Sequence, residues 1–307
     1  MTEPSEKTAR VGRPVTHRAA DAVVVRVIWA CGWLAIVILA AIFVFLTVNA
    51  LPAIRSVGLW NMISGTNWFP TSDPPSFGFL PSEVGSLWVT GVSLLLAVPI
   101  GVAASVSLSE FAEGWFKEMA KSVVEFMAAV PSVVLGLLGL AFLDPVITKV
   151  FNVDSGLTAL TAGIVVGVMS LPTIISIAED ALHNVPNDLR QGSLALGNTR
   201  WQTTYKVVVP AASSGIFAAV MLGLGRAIGE TMVVLMLAGN SGLVITSALQ
   251  PARTLTGTIA QEMGEVVRGG MHYSVLFTMG LVLFAITFLI NLAADVVLER
   301  QRKKWRR

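Results

Sequence analysis

Charge is what this chain of 307 residues has least of. Asp, Glu, Lys and Arg together make up 13% of it, against about 25% in an ordinary soluble domain. With 54% of its residues hydrophobic, it has too little polar surface to cover a globule of this size, so lipid must be the solvent for much of it. The lone cysteine, Cys31, excludes an internal disulfide framework and any cysteine-based zinc or iron–sulfur centre. The three histidines, His17, His183 and His272, are scattered through polar segments without metal-ligand spacing. No Gly-Lys pair occurs anywhere, so the chain carries no P-loop. Gly223-Leu-Gly225-Arg-Ala-Ile-Gly229 has the wrong spacing for a dinucleotide fingerprint and lies in an apolar stretch. No nucleophile–base–orienter set can be assembled from these residues. A non-catalytic chain without its own cofactor is expected, and any energy it uses must come from another subunit.

What is present in quantity is apolar sequence. A bilayer core of about 30 Å needs roughly 20 apolar residues in a helix. Stretches at 27–49, 86–109, 122–143, 157–178, 211–238 and 274–298 meet or approach that length, which predicts an all-α integral membrane protein with six transmembrane helices. The first stretch is too long for a signal h-region and is read as a retained span.

Orientation follows from the cations. With the N-terminus inside, sixteen Lys and Arg fall on inner segments and four (Arg55, Lys149, Arg253 and Arg268) on outer ones. The inner set includes Lys7, Arg10, Arg13, Arg18 and Arg26, then Lys117 and Lys121, then Arg190, Arg200 and Lys206, and six in the tail. Both termini are therefore expected in the cytoplasm. The resulting organisation is a cytoplasmic tail at 1–26, a first span, an extracytoplasmic loop at 50–85, a five-span core at 86–298 and a basic cytoplasmic tail at 299–307. The loop 50–85 reads as an ordered cap. In the outer loop 239–273, Leu255, Ile259, Met263 and Val266 form a stripe at helical spacing, which predicts a short amphipathic helix on the outer face or buried against the bundle.

Two charges lie where they are costly. Arg226 sits midway along the fifth span with Glu230 four residues on, a spacing that places both on one helix face. A central Arg or carboxylate costs about 2.5–3.5 kcal/mol on insertion scales. The pair is either a buried ion pair that sets helix register or part of a polar pathway. In the second case Arg226 offers a forked donor to a passing anion, and Glu230 weakens its grip. Gly225 and Gly229 form a small-x-x-x-small ridge beside them. Glu125 is expected in the first turn of the third span, favoured there by the helix dipole, and Asp295 near the membrane boundary. Pro99, Pro131 and Pro172 mark kinks.

The inner loop between spans four and five carries the strongest pattern. Asn187 or Asp188 can cap a helix, Gly197 can end it in the left-handed conformation, and Thr199 can cap a second helix toward Pro210. Gly192, Ser193, Ala195 and Gly197 keep the surface small-featured, so a partner's groove can admit it. Gln191-Gly192-Ser193, then Gly197, then Val207-x-Val209-Pro210 after nine residues resembles the EAA loop of ATP-binding-cassette (ABC) importer permeases, with Gln for Glu and Gly-Ser for Ala-Ala.

Longer stretches are similar to the phosphate-importer permeases: Ala129-Val-Pro-Ser-Val-Val-Leu-Gly136, Ser193-Leu-Ala-Leu-Gly-Asn-Thr-Arg-Trp-Gln202 and Gly225-Arg-Ala-Ile-Gly-Glu-Thr-Met232. Phe77-Gly-Phe-Leu-Pro81 and Gly85-Ser86-Leu87 resemble the PstC branch rather than the PstA branch. The resemblance implies a type I ABC importer permease fold and a heterodimer with a PstA-like permease. It also implies two ABC ATPase subunits that bind ATP and Mg, and an extracytoplasmic phosphate-binding protein. By the same resemblance Arg226 and Glu230 belong to the substrate pathway, and Asp188, Gln191, Gly192, Ser193, Ala195, Gly197 and Arg200 to the loop that couples to the ATPase. A permease for sulfate or molybdate, a secondary anion carrier and a non-transporting scaffold remain alternatives on residues alone.

Overall fold

The computed structural model describes residues 15–305, and side chains from Val23 to Glu299. The side chains of most cations in the tails therefore lie outside that range, those of Lys7, Arg10, Arg13, Arg18 and the six cations of 299–307. Residues 1–48 and 49–307 form two compact units. The first is occupied, in its described part, by α1 (Val15–Ser56), whose side chains from Val23 to Phe45 are all exposed. A helix apolar on every face has no stripe to turn toward a core, which is the pattern of a span in hydrocarbon.

The second unit holds the end of α1, then α2 (Leu59–Ser64) and a hairpin of β1 (Trp68–Phe69) and β2 (Ser76–Phe77), with Trp68 opposite Phe77. Next come α3 (Leu80–Val106) with a π-helical turn at Ser107–Phe111, α4 (Gly114–Ala129) and α5 (Ser132–Leu138). A second π turn (Gly139–Leu143) joins α5 to α6 (Asp144–Phe151), followed by α7 (Ala159–His183), α8 (Asn187–Ala195) and α9 (Arg200–Thr203). A third π turn at Thr204–Val208 leads to α10 (Val209–Ala211) and α11 (Ser213–Gly229). The order closes with α12 (Met232–Leu237), α13 (Leu255–Glu262) and α14 (Met271–Trp305).

Five stretches of the described residues are long and apolar enough to cross a bilayer: Val23–Ser56, Leu80–Phe111, Ser132–Phe151, Ala159–His183 and Met271–Glu299. The pair Arg200–Ala211 and Ser213–Gly229, bent by 69°, makes a sixth when the two are counted as one broken span. The third differs from the expected 122–143. The chain breaks inside that stretch, where Val130 and Pro131 are extended, because proline lacks an N–H and pushes its predecessor out of the helical region. Apolar residues continue on both sides, so hydropathy alone does not show the break. Glu125 consequently lies near the C-terminal end of α4 rather than in a first turn, where the helix dipole does not favour a carboxylate. The stretch 211–238 is likewise two helices, α11 and α12.

α3 and α7 pack along much of their lengths, and two glycines on α7 explain how closely. A Cβ on Gly163 would lie 2.6 Å from the Val92 Cβ, and one on Gly167 would lie 3.0 Å from the Ser93 carbonyl oxygen. This is the small-x-x-x-small contact by which membrane helices approach. The ridge expected at Gly225 and Gly229 meets nothing within 4 Å, so the chain itself leaves that face open. Around the α3–α7 contact, Val89, Val166, Met169, Val233, Val234 and Leu237 form the central core.

At one end of the unit a second cluster joins Met62, Trp68, Phe79, Leu255, Leu276 and Met279. Ile259 of α13, with Met263 and Val266 just beyond that helix, is partly buried and packs against this cluster, so the stripe faces the bundle. Glu262 fastens this end: its carboxylate accepts from Trp68 Nε1 at 2.8 Å, lies 2.7 Å from His272 Nε2, and pairs with Arg253. The opposite end carries α8 and α9 over a small cluster of Leu182, Val185, Val208 and Ala212.

Candidate functional site

The two charges of the fifth span are both half-buried, and they do not pair with each other. α11 stops at Gly229, and Glu230 is extended (φ −67°, ψ 132°), so the four-residue spacing no longer places both groups on one helix face. The Glu230 carboxylate instead accepts from the backbone N–H groups of Met232 (3.1 Å) and Val233 (3.3 Å). Those are orphan donors of the first turn of α12, and a carboxylate is a strong acceptor for them. The Glu230 carbonyl accepts from the Thr256 hydroxyl at 2.8 Å. Arg226 donates from Nη1 to Thr173 Oγ1 on α7 at 3.1 Å. No carboxylate of the described residues forms an ion pair with it. The expected Arg226–Glu230 contact is not present: Glu230 caps a helix, and Arg226 bonds a hydroxyl instead.

The loop after α7 takes the expected form of a helix, a sharp turn and a helix, with one correction. Pro186, not Asn187 or Asp188, occupies the position before α8, with no side-chain cap. Asp188 stands in the first turn, where the dipole favours it. Gly197 has φ +86° with open space around it, so the turn needs glycine for its backbone rather than for room. Thr199 and Gln202 form a reciprocal capping box at the start of α9. Ser193 is buried, its hydroxyl 2.9 Å from Thr203 Oγ1 and accepting from Asn198 Nδ2 at 3.1 Å. That contact folds the two helices onto one another. Gln191, Gly192, Ala195, Gly197 and Arg200 are exposed, as are Leu196 (85%) and Trp201 (61%). Trp201 rests against the rings of Phe111 and Tyr205, and a surface of small residues and exposed apolar side chains is suited to insertion into a partner.

Four further residues enter the site that sequence reasoning did not select. Thr173, the partner of Arg226, lies 53 positions away along the chain. Arg190 reaches from α8 to Glu110 in the π turn after α3, with Nη2 to Oε1 at 2.9 Å and Nε to Oε2 at 3.3 Å. It also donates to the Leu182 carbonyl at 2.8 Å and to that of Val185. Glu179, on α7, is buried and pairs with Lys121 at 3.0 Å and with Lys117 at 3.7 Å, both on α4. The only sequence signal for Arg190 was its place within the loop pattern.

This architecture, several apolar spans with a projecting helix–turn–helix between two of them, is that of an ABC importer membrane subunit. The chain belongs to the family of binding-protein-dependent transport system inner membrane components, whose model matches residues 97–307.

Among its relatives, a probable ABC transporter permease protein YqgH of Bacillus subtilis is 39% identical over 90% of each chain. A phosphate transport system permease protein PstC of Mesorhizobium japonicum is 33% identical over 87% of this chain and 86% of its own. The PstC protein of Haemophilus influenzae is 30% identical over 88% and 90%. Solved structures share the fold. A bacterial alginate ABC transporter in complex with a periplasmic protein superimposes with a TM-score of 0.63 at 14% identity, covering 92% of this chain and 96% of that one. The inward-facing MetNI methionine ABC transporter gives 0.58 at 22% identity, covering 73% and 96%.

Proposed function

We propose that this chain is the permease subunit of an ATP-driven importer that carries inorganic phosphate across the cytoplasmic membrane by alternating access. The likeness to proteins named as phosphate transport permeases over nearly nine-tenths of the chain carries this reading. The site agrees with it chemically. A guanidinium held in a spanning helix without a carboxylate partner offers a positive, forked donor to an oxyanion. Arg226 lies between Gly225 and Gly229, exposed glycines whose Cβ positions meet nothing within 4 Å among the described residues. A homologous permease, PstA-like, covers that face, and the anion passes between the two subunits beside Arg226.

The remaining partners follow from the same reading. Two ATPase subunits bind ATP and Mg and receive the α8–α9 projection, while this chain holds no cofactor of its own. A binding protein delivers phosphate at the opposite end, and both termini lie in the cytoplasm, a reading that the cation distribution supports. Closure of the ATPase pair moves the docked loop, and the paired permeases rock between inward- and outward-facing states.

Uptake by the assembled transporter in lipid vesicles tests the pathway. Arg226→Ala is expected to abolish phosphate uptake while the permeases and ATPases still co-purify. Unchanged uptake would contradict the assignment of Arg226.

A further inference from the structure

α8 is weakly held by its own packing. Among its nine residues only Ser193 is buried, so little apolar contact ties it to the bundle. Covalent connections lead from it to α7 on one side and, through α9, to α11 on the other. Neither reaches α3 or α4. Three contacts do: the ring contact of Trp201 with Phe111 at 5.9 Å, the Arg200–Glu113 pair, and the fork between Arg190 and Glu110, the buried one of the two ion pairs with side chains only 19% and 10% exposed. At that depth solvent screens the attraction little, and removal of either partner leaves a poorly solvated charge.

The same guanidinium also donates to the carbonyl of Leu182, in the last turn of α7, and to that of Val185, two residues beyond the helix. One side chain thus joins three elements: α8, the end of α7 and the π turn that links α3 to α4. Lys117 and Lys121 pin α4 to Glu179 of α7 from the next turn of the path. By contrast, Arg200 and Glu113 form a 3.0 Å pair with side chains 68% and 75% exposed, a geometry that contributes little.

We propose that Glu110 and Arg190 form the joint by which movement of the docked loop is carried into α3 and α4, making the connection between the second and third spans a working part of the coupling device. The joint rests on the reading of α8–α9 as the ATPase-docking loop. Both residues are positioning residues. They touch neither the substrate pathway nor the exposed face of α8.

The test uses the full transporter in lipid with its binding protein. It reads the ratio of phosphate-stimulated to basal ATP hydrolysis, together with ATPase co-purification and the thermal midpoint. Glu110→Gln keeps an acceptor for the guanidinium and removes only its charge, so assembly is retained. Glu110→Gln and Arg190→Gln are each expected to lower the coupling ratio by about tenfold, and the double variant no further than Arg190→Gln alone, as for groups acting as one unit. Glu113→Gln should stay within about twofold of the unsubstituted protein.

An unchanged ratio in Glu110→Gln overturns the joint. So does a double variant that shows the product of the single losses, or a loss in Glu113→Gln equal to that in Glu110→Gln. A ratio that falls only together with co-purification and thermal midpoint assigns the pair a merely structural role, which also overturns it. If Arg190→Gln does not assemble, Glu110→Gln and Glu110→Asp decide, the shorter acid restoring part of the ratio. An unsubstituted complex that responds to another anion overturns the phosphate reading instead, and the joint is then judged with that anion.

Discussion

At the scale of single residues, the fifth span illustrates how a carboxylate and a guanidinium four positions apart can serve separate ends. Glu230 is engaged by two backbone N–H groups of α12, donors that would otherwise be unsatisfied at membrane depth. Arg226 is engaged by a hydroxyl, which leaves its charge uncompensated. The two roles predict different responses to substitution. Glu230→Gln retains an oxygen acceptor for Met232 and Val233, so uptake should fall by no more than about threefold, the effect of a weakened rather than a lost bond. Glu230→Ala removes the cap and should destabilise the α11–α12 break by about 0.5–2 kcal/mol, read as a lower thermal midpoint of the purified complex. Equal loss of uptake in both variants, with no thermal difference, would return Glu230 to the role of counter-ion. The ion pair was expected because both residues were assigned to one continuous helix. Gly229 beside Glu230 was the only mark of the break, and glycine is common enough in membrane helices not to announce one.

At the scale of elements, the local features were legible and the tertiary ones were not. The left-handed turn at Gly197 and the cap at Thr199 depend on residues within a few positions, so spacing alone located the helix–turn–helix. The third span was displaced because Ser132–Phe151 and the preceding α4 are both apolar enough to blur into one stretch, and only Pro131 separates them. Arg190 and Glu110 lie 80 positions apart, and no local signal joins them. Small-residue ridges show the same limit. Gly225 and Gly229 have the same spacing as Gly163 and Gly167, yet only the second pair is met by another helix of this chain. Gly163→Leu should therefore force α3 from α7 and destabilise the isolated subunit by about 1–3 kcal/mol, as overpacking does. Gly225→Leu should leave the subunit's own thermal midpoint unchanged and weaken recovery of the second permease. A lower midpoint for Gly225→Leu, with full recovery of the partner, would remove that face from the permease–permease interface.

At the scale of the whole molecule, composition alone established a membrane protein, and the helical architecture and family relationship make it the membrane component of a binding-protein-dependent transport system. The two ends of the second unit have distinct constructions. One is fastened through Glu262, which joins the hairpin, the segment before α13 and the start of α14. The other carries the exposed α8–α9 projection, fixed by Arg190. Between them lies a tight α3–α7 core and a guanidinium without a carboxylate partner among the described residues. A rigid core flanked by a clamped end and a projecting end is suited to transmit movement from a docked partner to a central pathway. The central claim is that this movement imports phosphate. It is tested most directly by ATP hydrolysis of the purified complex in lipid with its binding protein, comparing phosphate, sulfate and molybdate. Stimulation by phosphate alone is the predicted result. Stimulation by sulfate or molybdate without phosphate, or no co-purifying ATPase at all, would contradict it.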